Sequence, residues 1–262
     1  MDHIEAGRYW NDNAEVWTQL ARGGYDLYRD KLNTPTFLAS LPEVRGRAGL
    51  DLGCGEGHNT RLLAERGARM TAIDISEIFI SHARAAEAAR PLGITYQVAS
   101  AVELPFPDEA FDFVVAFMSL MEFPETERAL AEARRVLRPG GFLQFSIEHP
   151  CFSTPHRRQL RDANGMTYAI EVGGYFQRSR AAIEEWIFGA APVEVKAGMR
   201  KFRIPRFPRP LHEWVNLLVE GGFTIERMEE PVPSAETVRE VPYIQDASVV
   251  PYFLHVRARK GE

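Results

Sequence analysis

Apolar residues fall along the chain in short blocks set apart by glycine, proline and charge. The sharpest block, Ala48 to Leu52, runs into glycines at alternate positions, Gly53, Gly55 and Gly57, and a helical pattern opens near Asn59. An apolar run of this length predicts a strand, and the change of period after the glycines predicts a helix. RMTAID predicts a second strand ending in Asp74. Ser76 is placed as the N-cap of a helix that runs to about Arg90 and stops at Pro91-Leu92-Gly93. ITYQVA predicts a third strand, with Ser100, Ala101 and Val102 at its tip. FDFVVAF is continuously apolar after its Asp, the pattern of a parallel strand buried on both faces. Ala129, Leu130, Ala133, Val136 and Leu137 recur at helical spacing ahead of Pro139-Gly140-Gly141, and FLQFSI predicts a fifth strand. This alternation predicts a doubly wound α/β sheet with right-handed crossovers, whose ligands bind at the C-terminal ends of the strands.

The flanks break the pattern. Residues 1–47 form an N-terminal helical cap with Thr34-Pro35 as a helix start, and Phe37, Leu38 and Leu41 share one face. Residues 48–147 form the core, and residues 148–210 are an insertion read as a lid over the substrate pocket. Within it TYAIEVGGYF and IEEWIF read as strands joined by RSRAA, and RIPRFPRP is a proline-broken basic segment that cannot be a regular helix. Residues 211–262 return to the core. They hold an amphipathic helix on Leu211, Trp214, Val215 and Leu218, and two last strands, FTIERMEE and PYFLHVRARK. The stretch between those strands holds three prolines and is expected as a surface loop.

A chain of 262 residues fits one large domain, or a domain with an inserted lid. A formal charge of −5 argues against nucleic acid as the main partner and leaves a local basic patch open. The two cysteines, Cys54 and Cys151, make no disulfide framework, and a reducing cytoplasm is the simpler setting. The polar start MDHIEAGRYW does not look like a signal peptide. The apolar stretch FDFVVAFMSLM is too short to span a bilayer, so no membrane association is expected. A homodimer is left open.

Glycines in a strand-to-helix turn permit positive φ and let a ligand approach closer than a Cβ allows. Such a turn also leads free N–H groups toward that ligand. The spacing is GxGxG, which is neither the dinucleotide GxGxxG nor a GxxxxGK[ST] loop, and this disfavours a dehydrogenase. Asp74, at the tip of the second strand, can accept hydrogen bonds from both hydroxyls of a ribose. LDLGCGEG, AIDIS, ELPFPDEAFDFVVAF and LRPGGFLQFSI, in that order, make residues 48 to 147 resemble the class I S-adenosylmethionine-dependent methyltransferases. The resemblance is strongest to the bacterial small-molecule branch that includes the ubiquinone and menaquinone methyltransferases. It implies a seven-stranded, mostly parallel, Rossmann-like sheet whose last two strands are antiparallel. It also implies S-adenosyl-L-methionine as cofactor, S-adenosyl-L-homocysteine as product, and N-terminal helices over the site.

Under this resemblance Gly53, Cys54, Gly55 and Gly57 approach the methionine and ribose portions, Asn59 hydrogen-bonds the same region, and Asp74 binds the ribose. Ile75 packs on the adenine face, and Ser100, Ala101 and Val102 meet its edge. Many relatives carry Asp where this chain has Ser100. Phe117 lies near the sulfonium or in the core. The Tyr25 and Tyr28 hydroxyls reach for the methionine carboxylate, while Trp10 and Trp17 pack on the core. His149 is the one candidate proton acceptor. Met121, Tyr175, Trp186, Arg206 and His212 are candidates for the substrate wall, which would suit a planar aromatic or heteroaromatic acceptor. Arg200 to Arg209 either holds an acidic group or is solvated, and Glu184-Glu185 either attracts an amine or is solvated. His149, Cys151 and His156 match no zinc pattern, so no metal is expected. The expected reaction is direct in-line methyl transfer to O, N or C of a small metabolite. A nucleic-acid methyltransferase is the alternative, disfavoured because FMSLMEF replaces an NPPY-type tetrapeptide. A non-catalytic scaffold of the same fold is the other.

Overall fold

The computed structural model describes residues 1–177 and 181–261. Helix α1 (His3–Arg22) starts on Asp2, whose side chain accepts the Glu5 N–H. A π-helical turn, Arg29–Asn33, runs into α2 (Thr34–Ser40). Thr34-Pro35 starts this α-helix as expected, with Pro35 in its first turn, although the π-helical turn before it leaves Asn33 already helical. The core follows as β1 (Ala48–Leu52), α3 (His58–Glu65), β2 (Arg69–Asp74), α4 (Glu77–Ala89), β3 (Thr95–Val98), β4 (Phe111–Phe117), α5 (Thr126–Val136) and β5 (Leu137–Glu148). The insertion carries β6 (His156–Arg161), β7 (Thr167–Gly173), β8 (Ala182–Trp186), α6 (Val193–Lys196) and β9 (Phe202–Arg206). The chain closes with α7 (Leu211–Glu220), β10 (Phe223–Glu229), α8 (Ala235–Glu240) and β11 (Phe253–Lys260).

The main sheet has seven strands in the order β10-β11-β5-β4-β1-β2-β3. The strands from β3 to β5 are parallel, and β11 is antiparallel to both β5 and β10. Alternate residues of β4 point to opposite faces. Val114 and Ala116 join Leu50 and Phe145 under α5 and α7, through Ala129, Leu130, Trp214 and Leu218. Phe113, Val115 and Phe117 join Met70 and Ala72 under α2, α3 and α4, through Phe37, Leu63 and Ile80. Burial on both faces is why this strand reads as an unbroken apolar run.

The insertion departs from expectation. The two predicted strands do not pair with each other: β7 pairs with β6, and β8 with β9, each antiparallel. The basic segment thus supplies a strand. Three residues of the RSRAA joint, 178–180, lie outside the described residues. The stretch before β11 is likewise no surface loop. It folds into α8 and a 3-10 helix, Pro242–Ser248, which buries Ile244 and Ala247 against Leu32. No helix among the described residues is long and apolar enough to cross a membrane.

Candidate active site

One cavity of about 590 Å³ opens at the C-terminal ends of the parallel strands. The strand tips supply Gly53, Cys54, Gly55, Asp74, Ile75, Ser100, Ala101, Val102 and Phe117 to its wall, and the helix after the glycine loop supplies Asn59. Tyr25, Tyr28, Trp10 and Trp17 come from the N-terminal segment, Met121 from the turn after β4, and Trp186 and Arg206 from the insertion. These residues share one wall, Trp10 and Trp17 among them although the sequence placed both in the core. Tyr175, His212, His149 and Gly57 do not line the cavity.

The glycine loop is held against the sheet. The Gly53 and Cys54 N–H groups both donate to the Ile73 carbonyl, each at 2.9 Å. A Cβ on Gly53 would stand 2.6 Å from the Ser119 Cβ, and φ there is +71°. Gly55, at φ +55°, has open space where a Cβ would point, and it faces the cavity. Gly57 serves the turn instead: it takes φ +88° before α3, and a Cβ would meet the Tyr96 hydroxyl at 2.6 Å.

Asp74 is 8% exposed. Its Oδ2 accepts the Gly55 N–H and its Oδ1 the Ser76 N–H, each at 2.9 Å. Burial pushes its carboxyl up to about 6, against the pull of the N–H groups of Ser76, Gly55 and Ile75. Asn59 accepts the Thr34 hydroxyl at 2.9 Å, tying α3 to α2. Phe117 is both wall and core, its ring 4.0 Å from that of Phe37.

Several expected roles move. The Tyr28 hydroxyl donates to Asp246 Oδ1 at 2.5 Å and stacks its ring on Tyr252, so it is committed to the 3-10 helix. Burial first, then Asp246, raise its phenol well above the usual range. Trp10 and Trp17 pack as expected, with Trp17 within 5.0 Å of Phe188 and 5.5 Å of Trp186, and they also face the cavity. His149 is only 2% exposed. Its Nε2 pairs with Glu230 at 2.8 Å, and its Nδ1 accepts the Cys151 N–H at 3.2 Å. With both ring nitrogens occupied away from the cavity, it is a structural residue. Tyr175 accepts the Leu211 N–H at 2.8 Å and so holds the first turn of α7, while His212 is exposed on that helix.

Arg206 does not await an anion. It is ringed by Glu148, by Glu122 at 3.3 Å and by Glu184 at 3.1 Å. Burial opposes its charge, but the three carboxyl groups outweigh burial and hold it above its usual value. Burial would also raise Glu148, yet Arg206 and the Ser153 hydroxyl bring it below the usual carboxylate range. Glu122 goes the other way: burial pushes it up to about 8, with Arg206 only partly offsetting. A second unforeseen group is Arg29, which faces the cavity beside Asp26, Asp30 and Glu56. Burial lifts Asp26 to about 6. The signal available in the sequence was a lone carboxylate in the apolar run FMSLMEF. Arg29 gave none, since YRDKL reads as a solvated face.

Residues 50–145 match the family model described as a methyltransferase domain. The chain is 29% identical over 172 residues to a fatty-acid O-methyltransferase of Mycolicibacterium smegmatis, which covers 63% of this chain and 62% of that one. It is 38% identical over 142 residues to a 27-O-demethylrifamycin SV methyltransferase of Amycolatopsis mediterranei, covering 52% of this chain and 47% of that one. The chain thus spans about half to three-fifths of these two relatives. A solved S-adenosylmethionine-dependent methyltransferase from Mesorhizobium loti superimposes with a TM-score of 0.68 at 29% identity, over 86% of this chain and 96% of that one. The residues in place fit that cofactor: an open glycine beside a ribose-competent carboxylate, with an apolar strip of Ile75, Ala101 and Val102 for a base. Residues 50–145 thus match a methyltransferase domain, and the seven-stranded sheet they belong to has the fold of a solved S-adenosylmethionine-dependent methyltransferase.

Proposed function

We propose that the chain is an enzyme that methylates a small metabolite with an aromatic or heteroaromatic body, using S-adenosylmethionine. The observation that carries this reading is the continuity of one cavity. The same space touches Gly55 and Asp74 on the sheet and Trp17, Trp186, Phe188, Phe152 and Tyr252 on the covering elements. Donor and acceptor can therefore meet inside it, and aromatic walls suit a flat, largely apolar acceptor.

When bound, the cofactor supplies an electrophilic methyl group. The chain's part is to align the acceptor with it and keep water out, which contributes roughly 7–11 kcal/mol in well-oriented reactions. Gly53, Cys54 and Gly55 admit the methionine and ribose portions, Asp74 takes the ribose, and Ile75 with Ser100 to Val102 takes the adenine. Asn59, Tyr25 and Arg29 orient the amino-acid end. The inserted residues 148–210 act as the lid, through Trp186, Phe188 and Arg206. One relative above is named a fatty-acid O-methyltransferase and the other a 27-O-demethylrifamycin SV methyltransferase; both names support a small-molecule acceptor, while its aromatic body rests on the cavity walls. A nucleic-acid acceptor gains no support. Arg158, Arg203, Arg206 and Arg209 of the insertion each have a carboxylate partner within 3.6 Å.

Incubation with methyl-labelled S-adenosylmethionine and panels of phenols, aryl amines and N-heterocycles tests the proposal. Label transfer to one class is expected. No transfer to any of them, or transfer only to RNA or DNA, would overturn it.

A further inference from the structure

We propose that Glu122 takes the proton from the acceptor during methyl transfer. The inference rests on the methyltransferase reading above and names a group in that site.

The geometry comes first. Glu122 ends the 3-10 turn Leu120–Glu122 that follows the tip of β4, and it belongs to the cavity wall. Two contacts fasten this turn to the glycine loop. The Ser119 hydroxyl donates to the Leu52 carbonyl at 2.6 Å, and Ser119 fills the space where Gly53 has no side chain. On its other side Glu122 meets Arg206 of β9, at 3.3 Å. The carboxyl therefore stands between the element that holds the donor and the insertion that covers the acceptor.

The second observation is an unanswered hydrogen-bonding atom. Glu122 is 5% exposed, and its Oε2 has no hydrogen-bond partner among the described residues, while Oε1 faces Arg206. A buried carboxyl oxygen without a partner costs free energy, so a group that donates to it is called for. The charges facing it are Arg206 from β9, Glu148 from β5 and Glu184 from β8. Glu148 and Glu184 already neutralise the arginine. An acceptor bearing a carboxylate would meet surplus negative charge here. One bearing a hydroxyl or an amine would find a partner.

The chemistry balances. The acceptor's O–H or N–H bond breaks and its proton bonds to a Glu122 carboxylate oxygen. The pair left on the acceptor atom forms the bond to the methyl carbon, and the pair of the broken carbon–sulfur bond stays on sulfur. Glu122 is left as the neutral acid. Its elevated pKa puts it in the range where a base can both lose and accept a proton near neutral pH.

A base at this place should be largely neutral before the cationic donor binds and ionised afterwards, since a nearby positive charge favours the carboxylate. Calorimetry in buffers of different ionisation enthalpy counts the protons released on binding. At about pH 8, where a group of this pKa is half protonated, S-adenosylmethionine should release about half a proton more from the wild type than from Glu122→Gln. S-adenosylhomocysteine, with neutral sulfur, should show no such excess. The subtraction cancels the ligands' own titrations, and S-adenosylhomocysteine binding to the variant shows that it is folded. The wild type alone gives a second readout: a protonated-carboxyl infrared band lost with S-adenosylmethionine and kept with S-adenosylhomocysteine. Equal proton counts for both ligands, or an unchanged band, would overturn the role of Glu122 while leaving the methyltransferase reading intact. Binding of neither ligand would instead sink that reading.

Discussion

Asp74→Asn isolates the charge that the account assigns to ribose binding. Amide replaces carboxylate at almost constant volume, and one oxygen remains to accept an N–H from Gly55 or Ser76. Hydrogen bonds to a charged group contribute about 1.5–3 kcal/mol and neutral ones about 0.5–1.5 kcal/mol. Two ribose hydroxyls each losing about 1 kcal/mol give about 2 kcal/mol, or roughly 30-fold in affinity. The assay is calorimetric titration of S-adenosylhomocysteine into wild type and variant, with thermal melting to show that the variant is folded. Because the wild-type carboxyl is lifted to about 6 by burial, its affinity for the ligand should also fall as pH drops below that value. The variant should lose this dependence. An affinity within twofold of wild type, with an unchanged pH profile, would remove Asp74 from the site.

Other consequences follow from the packing and the titrations. His149→Ala should cost about 1–3 kcal/mol in urea melts, by orphaning the Cys151 N–H, and leave S-adenosylhomocysteine affinity unchanged; a loss of affinity with no loss of stability would return His149 to the site. Phe37→Ala removes a fully buried ring packed on Phe117 and should cost about 3–5 kcal/mol; a change under about 1 kcal/mol would refute the packing of α2 on the sheet. Asp51 and Glu122 are raised by burial to about 7 and about 8, so the folded chain binds more protons than the unfolded one and stability falls as pH rises through those values. Melting temperature should therefore drop from about pH 7 to about pH 8.5, where unfolded carboxyls are fully ionised, and less so in Glu122→Gln. A rise over that interval would contradict the burial of these groups.

The parts of the fold legible in the sequence are those where local rules agree with the tertiary structure. The run from Ala48 through Asp74 is legible because a doubly buried strand, positive-φ glycines and a strand-tip carboxylate each leave a local mark. The pairing of β6 with β7 is not legible, since HRRQLR is polar on both faces and its partner is fixed by contacts elsewhere. Gln245, for example, exchanges hydrogen bonds with the Thr167 backbone. The 3-10 helix before β11 hid behind its prolines, although Ile244 and Ala247 pack under the N-terminal segment. The acceptor end misled in a different way. Residue type suggested His149 and a basic anion site, but burial and partners decide function there, and they occupy His149 and Arg206 while leaving Glu122 with an unanswered oxygen.

Whether the glycine loop and Asp74 hold the cofactor is decided by calorimetric titration of S-adenosylhomocysteine into the wild-type protein. A single site with micromolar affinity is expected, weakened by Asp74→Asn and untouched by His149→Ala. Absence of binding by a protein shown to be folded would contradict it and leave a scaffold that kept the methyltransferase fold without its cofactor.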